Sequence, residues 1–427
     1  MSRYKSSLNL IQERSFVAWT RAEKKRWLLT LMIGTAAAYA TRTSLPILLP
    51  AISKERHWSK KESGALLSAF FWGYTLTQVA GGYLSDRIGG LRVIFISAIG
   101  WSLLTFTMPF SIRFIEDPDQ SVQFIVLIRI LNGAFQGVHF PSMISLTSQK
   151  LPEMERSSFF SAVTAGSAIG TLVSGTLGSY FLETFGWPIV FYMLGSLAFL
   201  WALLLRFQML KSDYKESPII PEKQNRNVPW LRLLWCQPFW ACVTAHACQM
   251  NCFFVMMSWL PTYFHDNFPD QKRWVVNMVP WLFLMPCTFI AKAISERLLR
   301  SGKSTTETRK IIESICFIAQ ISGLAGLAGS HGSFGAALFC SGLIIGAAGF
   351  HNTSVAVNAQ DLAPRHAGSA FGLVNTLGAI PGFLGVLFAG HLLHAYHSWP
   401  VLFRLTAGID LIGWAVFVLY GSAESVI

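Results

Sequence analysis

A chain of 427 residues that is 52% hydrophobic and 13% charged departs from soluble domains, in which about a quarter of residues are charged. The formal net charge of +12 would suggest nucleic acid for a soluble protein, but no basic run is interleaved with aromatics, so no nucleic-acid site is read. Composition and motifs also argue against an enzyme. Gly302-Lys303-Ser304 ends like a phosphate loop, yet Arg297 stands at its leading glycine position and no strand precedes it.

After a polar, basic segment (1–26), apolar stretches recur near 27–52, 63–84, 92–112, 122–146, 159–182, 188–208, 238–262, 275–295, 311–329, 334–357, 368–392 and 401–420. Each is long enough, as a helix, to cross about 30 Å of hydrocarbon. The basic start runs into a full-length span and not a short apolar region with a cleavage site, so no signal peptide is expected. The expected fold is an all-α integral membrane protein of twelve transmembrane helices in two pseudo-symmetric halves, 27–208 and 238–420. A cytosolic linker (209–237) joins them and a short cytosolic tail (421–427) follows. Placing both termini in the cytosol puts about 23 Lys and Arg on cytosolic segments against about 7 opposite, the asymmetry that orients membrane proteins.

Polar residues inside these spans are costly in lipid and so mark function. Arg42 lies in the first span and Arg129 in the fourth, and neither span carries a carboxylate near its arginine. A guanidinium at mid-span costs roughly 2.5 to 3.5 kcal/mol on insertion scales, so a substrate anion is the expected partner. Its planar fork donates parallel hydrogen bonds and stays charged in an apolar site, which suits phosphate. Internal pairing of Arg129 with Asp410 or Glu313 is the alternative, and for Arg42 snorkelling to a cavity mouth. Asn132 and Gln136 share a helical face with Arg129 by their spacing.

In two-repeat carriers substrate binds at the midplane between the halves. Spans 1, 4, 7 and 10 facing that path hold Tyr39, Arg42, Asn132, Gln136, His139, His246, Gln249, His351 and Asn358. Tyr39, Trp72, Tyr74 and Phe254 are suited either to stacking on a base or to ordinary packing. The small-residue series Gly166, Gly170, Ser174, Gly178 and Gly372, Gly378, Gly382, Gly385 fit close helix contacts in lipid. All seven cysteines lie in the second half without metal-type spacing and read as packing residues. No cofactor or metal is expected.

Between the second and third spans, Gly82-Tyr-Leu-Ser-Asp86-Arg87-Ile-Gly89-Gly90-Leu-Arg92 resembles the signature loop of the major facilitator architecture, a charged latch for one conformation. The equivalent stretch of the second half, Lys292 to Arg297, lacks the glycine and has Glu296 in place of Asp. Phe70-Phe-Trp-Gly-Tyr-Thr-Leu-Thr-Gln, Arg129-Ile-Leu-Asn-Gly, Gln136-Gly-Val, Phe140-Pro141, Gly186-Trp187 and Asn358-Ala-Gln-Asp361-Leu-Ala-Pro364 resemble the anion-transporter family that includes vesicular glutamate transporters and sialin. From Arg26 onward the similarity is continuous. Ser258-Trp259-Leu-Pro261, Asn277-Met-Val-Pro280-Trp281 and Arg309-Lys310 are similar to its nucleotide-carrying branch.

That resemblance implies potential-driven uptake of ATP and other nucleotides into secretory or lysosomal vesicles, with a vesicular proton pump supplying the potential and chloride as an activator. No chloride site is read from the residues. Departures qualify the likeness: Leu67 and Gln249 replace a histidine and an arginine of glutamate carriers, and Gln136 replaces an acid of glutamate carriers and sialin. Because Gln136 cannot carry a proton, proton symport of an acidic sugar or amino acid is the lesser expectation. A glutamate-type carrier, a channel and a transport-dead sensor are the other rivals.

Overall fold

The structure, a computed structural model, describes residues 19–151, 153–211, 230–329, 332–364 and 367–426. Most of the expected linker and the first 18 residues therefore lie outside the described residues. Among the described residues, twelve helical rods follow in chain order. Span 1 is Arg21–Arg56, span 2 Lys60–Ile88, span 3 Gly90–Phe106 with Met108–Phe114, and span 4 Pro118–Gly137 with His139–Lys150. Span 5 is assembled from Glu153–Thr164, Gly166–Val173, a π turn at Ser174–Gly178 and Ser179–Phe185, and span 6 is Trp187–Lys211. A short helix, Trp230–Leu234, precedes span 7, Gln237–Asn267. Span 8 is Arg273–Leu282 with Leu284–Arg300, span 9 Thr305–Gly329, span 10 Phe334–Thr353 with Val355–Leu362, span 11 Ala367–Tyr396 and span 12 Trp399–Tyr420.

Eight of these are long and apolar enough to cross a membrane, and span 3, bent by 47° at its break, makes a ninth. Spans 1, 2 and 5 fall outside that group. Span 1 buries Thr35, Thr41, Arg42, Thr43 and Ser44, and span 5 is interrupted at its π turn. Buried polar residues and helix breaks lower the apolarity of spans 1 and 5, although spans 4, 7 and 10 bury polar residues and still pass.

Helix starts follow local chemistry. Thr20 with Glu23 and Ser59 with Glu62 form reciprocal capping boxes at spans 1 and 2, which satisfy backbone donors that a helix otherwise leaves open. Gly89 ends span 2 at φ 96 with its N–H on the Ser85 carbonyl, a left-handed turn that glycine adopts without strain.

Small residues let spans 2 and 4 touch backbone to backbone. A Cβ at Gly133 would stand 1.8 Å from the Phe70 carbonyl oxygen, and one at Gly73 would stand 1.8 Å from that of Ile130. Gly133→Ala is expected to lower stability by about 1 to 3 kcal/mol through overpacking, read as a lower melting midpoint of the detergent-solubilised protein. An unchanged midpoint would show that the two helices separate at no cost.

The halves meet mainly away from the linker, on what is termed here the far side. Span 2 packs on span 11, span 5 on span 8 and span 1 on span 7. Gly64 and Gly390 press together there, Lys60 Nζ pairs with Asp266 at 2.6 Å across the halves, and Phe71 stacks on Phe254 at 4.4 Å. Trp72 still touches Phe383 at 4.5 Å. Leu76, one turn nearer the linker on the same face of span 2, is 74% exposed. The halves thus diverge toward the linker side. Asp266→Asn is expected to loosen the far-side closure, seen as several-fold faster labelling of a cysteine placed at Ser63 by an impermeant maleimide; equal labelling would assign closure to the apolar contacts alone.

Candidate functional site

Span 1 brings Arg42 into the middle of the N-terminal half, 7% exposed. Its guanidinium lies 4.4 Å from the Tyr39 ring, 4.6 Å from Tyr74 and 4.8 Å from Phe70. Nε and Nη2 each approach the Gln136 amide oxygen at 3.4 Å. Arg42 is therefore enclosed, and snorkelling to a mouth does not describe it. The aromatic faces and that amide oxygen offer the cation its close negative potential.

Arg129 lies deeper along span 4, toward the far side. It is 3% exposed, its guanidinium 5.0 Å from the same Phe70 ring, with Nε 3.5 Å from the Leu66 carbonyl oxygen. Among the described residues no carboxylate lies within ion-pair distance of either arginine. The internal partners considered from the sequence are elsewhere: Glu313 Oε1 is bonded to His351, and Asp410 is buried beside Cys252 on the opposite half. Two guanidiniums thus share one phenylalanine, with no carboxylate among the described residues paired to either.

The remaining expected residues distribute unequally. Gln136 accepts from Arg42, donates to Thr41 Oγ1 at 3.1 Å and donates to Asn132 Oδ1 at 3.3 Å. Asn132 turns its amide nitrogen to span 3, at Thr105 Oγ1 (3.1 Å) and the Trp101 carbonyl (3.4 Å). Sharing a helix face with Arg129 thus did not place Asn132 on the path; it orients Gln136. His139 sits where span 4 breaks, with Nε2 3.2 Å from Thr35 Oγ1 and its ring edge-on to Phe140 and Trp201. Tyr39 and Tyr74 are half-buried on the linker-facing edge of the cage, where a planar ligand group can reach them.

Gln249 and Asn358 belong to the other half. Both are fully buried, and among the described residues the Gln249 amide meets no partner in hydrogen-bond geometry. Asn358 lies against Cys242 of span 7 and does not join the arginine cage. Trp72 and Phe254 are used in the closure between halves and not in that cage. Phe70 was unmarked as a site residue in the sequence because a phenylalanine in a span is ordinary; its place between two arginines is what distinguishes it.

At the loop after span 2, Gly82 passes Pro141, Arg87 stacks on Tyr83 at 5.1 Å, Gly89 makes the turn and Arg92 is exposed. Gly90 packs on the Ser142 carbonyl, tying the loop to span 4. The Asp86 side chain lies outside the described residues. In the second half, Glu296 pairs with Arg300 at 3.6 Å on an exposed helix face. Asp361 of the Asn358-to-Pro364 stretch accepts from Arg309 at 2.9 Å, bridging spans 9 and 10.

Residues 31–386 match the model of the Major Facilitator Superfamily. The voltage-gated purine nucleotide uniporter SLC17A9 of Mus musculus is 38% identical over 96% of this chain and 92% of its own length. That of Homo sapiens is also 38% identical, over 96% and 94%. A chloroplastic sodium-dependent phosphate transport protein of Arabidopsis thaliana is 29% identical over 96% and 81%. Among solved structures, a bacterial homolog of the human lysosomal transporter Spinster, inward-facing and unoccupied, superposes with a TM-score of 0.78 at 14% identity, covering 94% of this chain and 98% of that one. A mutant of the nucleoside transporter NupG gives 0.66 at 17%, over 92% and 100%. These relatives are transporters and not enzymes, and the protein is a multi-pass membrane protein. With the family model spanning both halves and full-length relatives at 38% identity, the chain belongs to the anion transporters of the Major Facilitator Superfamily.

Proposed function

We propose that the protein carries nucleotides, ATP foremost, across a vesicular membrane by alternating access, with membrane potential as the driving force. The observation that carries this reading is the pair of buried, unneutralised arginines around Phe70, in a chain whose relatives include purine nucleotide uniporters. A polyphosphate supplies the charge the cage lacks, and Tyr39 and Tyr74 stand at its rim for the base. Gln249, whose buried amide has no partner among the described residues, and Asn358 are the groups of the opposite half suited to close on the ligand's polar edge when the halves rock together. The loop holding Gly82, Asp86, Arg87, Gly89 and Arg92 would latch the linker side in that closed form.

Potential alone suffices in size. At roughly 2.3 kcal/mol per charge per 100 mV, a lumen-positive membrane gives a tetra-anion about 9 kcal/mol and a magnesium-bound di-anion about half of that. Both termini would then be cytosolic, the compartment a secretory vesicle or lysosome, and a vesicular proton pump the source of the potential. In proteoliposomes the purified protein is expected to accumulate ATP when the interior is made positive, with glutamate and sialic acid as poor competitors. Chloride, an activator by family resemblance, enters as one arm of that assay. Uptake that follows a pH gradient with the potential clamped at zero would overturn the potential-driven reading and favour the sialin-like one.

A further inference from the structure

The two halves are electrically unlike inside. Among the described residues the N-terminal half buries two arginines without a paired acid, whereas the C-terminal half buries Glu313 beside His351 and Asp410 beside Cys252. Glu313 Oε1 of span 9 meets His351 Nδ1 of span 10 at 2.8 Å. His351 Nε2 meets His246 Nδ1 of span 7 at 2.9 Å. The outer nitrogen of His246, Nε2, has no partner in hydrogen-bond geometry and faces the Asn375 side chain of span 11. All three members are at most 3% exposed.

We propose that this chain, Glu313–His351–His246, is a proton-binding site that exchanges one proton past Asn375, on the side where the halves diverge. The argument is a count of hydrogens. Each of the two contacts holds one, and the Glu313 contact takes its hydrogen from His351 Nδ1. The other hydrogen has two places. On His351 Nε2 it makes His351 an imidazolium beside the Glu313 carboxylate, and neutral His246 then carries N–H at Nε2. On His246 Nδ1 it leaves His351 neutral, and neutral His246 then presents a bare Nε2.

The two arrangements differ by one proton, gained or lost at His246 Nε2. A proton arriving there pushes the Nδ1 hydrogen across to His351, and the positive charge comes to rest against Glu313. The loaded form is a compensated pair; the empty form is a lone buried carboxylate, which is costly. That difference gives the site a reason to bind.

Among the described residues the surroundings supply no competing cation. Span 12 contributes Asp410, and spans 7 and 9 contribute the thiols of Cys242, Cys252 and Cys316. Arg309, one turn from Glu313 toward the linker, is committed to Asp361 at 2.9 Å and to the Thr353 carbonyl at 2.7 Å. Span 11, which receives the outer end, packs tightly there: a Cβ at Gly378 would stand 2.2 Å from His246 Cδ2. The same span closes the far side against span 2, so the protonation state of the chain bears on a helix at the seam of the two halves.

The test needs no substrate and so stands apart from the nucleotide reading. Potentiometric titration of the purified full-length protein against His246→Gln is expected to differ by about one proton per molecule, taken up by a coupled pair. Asp410→Asn is expected to leave that step in place. In the unmutated protein with carbon-13-labelled histidine, two imidazoles are expected to shift together with a common midpoint, a readout that survives any folding defect of the variant. Superimposable titration curves from a folded His246→Gln, or no such pair of imidazoles, would overturn the proposal.

Discussion

Arg129→Ala is expected to abolish ATP uptake into proteoliposomes held inside-positive, while Arg129→Met leaves the empty carrier as stable as the parent or more so. The two outcomes belong together. Truncating one partner of a buried, hydrogen-bonded charge pair costs about 2 to 5 kcal/mol, roughly thirty- to several-thousand-fold in binding. Among the described residues, however, Arg129 has the Phe70 ring and one long contact to the Leu66 carbonyl. Its charge is therefore a burden on the fold, and an apolar side chain of similar bulk relieves it. Thermal midpoints in detergent and initial uptake rates check the pair. A structural arginine would behave in the opposite way, with Arg129→Met losing stability and uptake falling only in proportion to folded protein.

How much of this was legible beforehand depends on how far apart the partners lie. Most of the spans could be read from composition, because in lipid each backbone group must be satisfied within its own helix. Of the spans expected to face the path, 4, 7 and 10 pass as membrane segments despite their polar residues, and span 1, legible as a helix, does not. Arg42 and Arg129 could be singled out because an intramembrane charge is expensive wherever it stands. Their surroundings could not. Gln136 is 94 residues from Arg42, and its preference for that arginine over Arg129 on its own helix is set by how span 1 packs on span 4. His246 and His351 are 105 residues apart and Glu313 another 38 from His351. Each reads alone as one more buried polar group, and only the packing of spans 7, 9 and 10 makes them a chain. Asn132 shows the limit of helical spacing: periodicity placed it beside Arg129, but a helix surrounded by others has more than one buried face, and this residue uses the one toward Thr105.

Gln136→Glu is expected to silence the carrier as thoroughly as loss of an arginine, without removing any positive charge. The amide oxygen of Gln136 lies 3.4 Å from both Nε and Nη2 of Arg42, so a carboxylate oxygen in its place becomes a bidentate partner at the position proposed for phosphate. The second carboxylate oxygen then faces Thr41 Oγ1, whose hydroxyl can turn to donate, and Asn132 Oδ1, an acceptor that it cannot bond and that presses it toward Arg42. An internal anion held by the chain competes at an effective concentration that free nucleotide cannot match, and an ion pair so enclosed keeps its strength against salt. The variant should bind ATP at least thirty-fold more weakly by roughly the 2 kcal/mol argument above, and its melting midpoint should rise as Arg42 gains a counter-charge. Gln136→Met, which removes the acceptor without adding charge, should retain measurable uptake. Those opposite outcomes at one position distinguish competition for Arg42 from simple damage to the helix. If Gln136→Glu transports at the parental rate, Arg42 is not an anchor for the substrate, and the anion site shrinks to Arg129 alone.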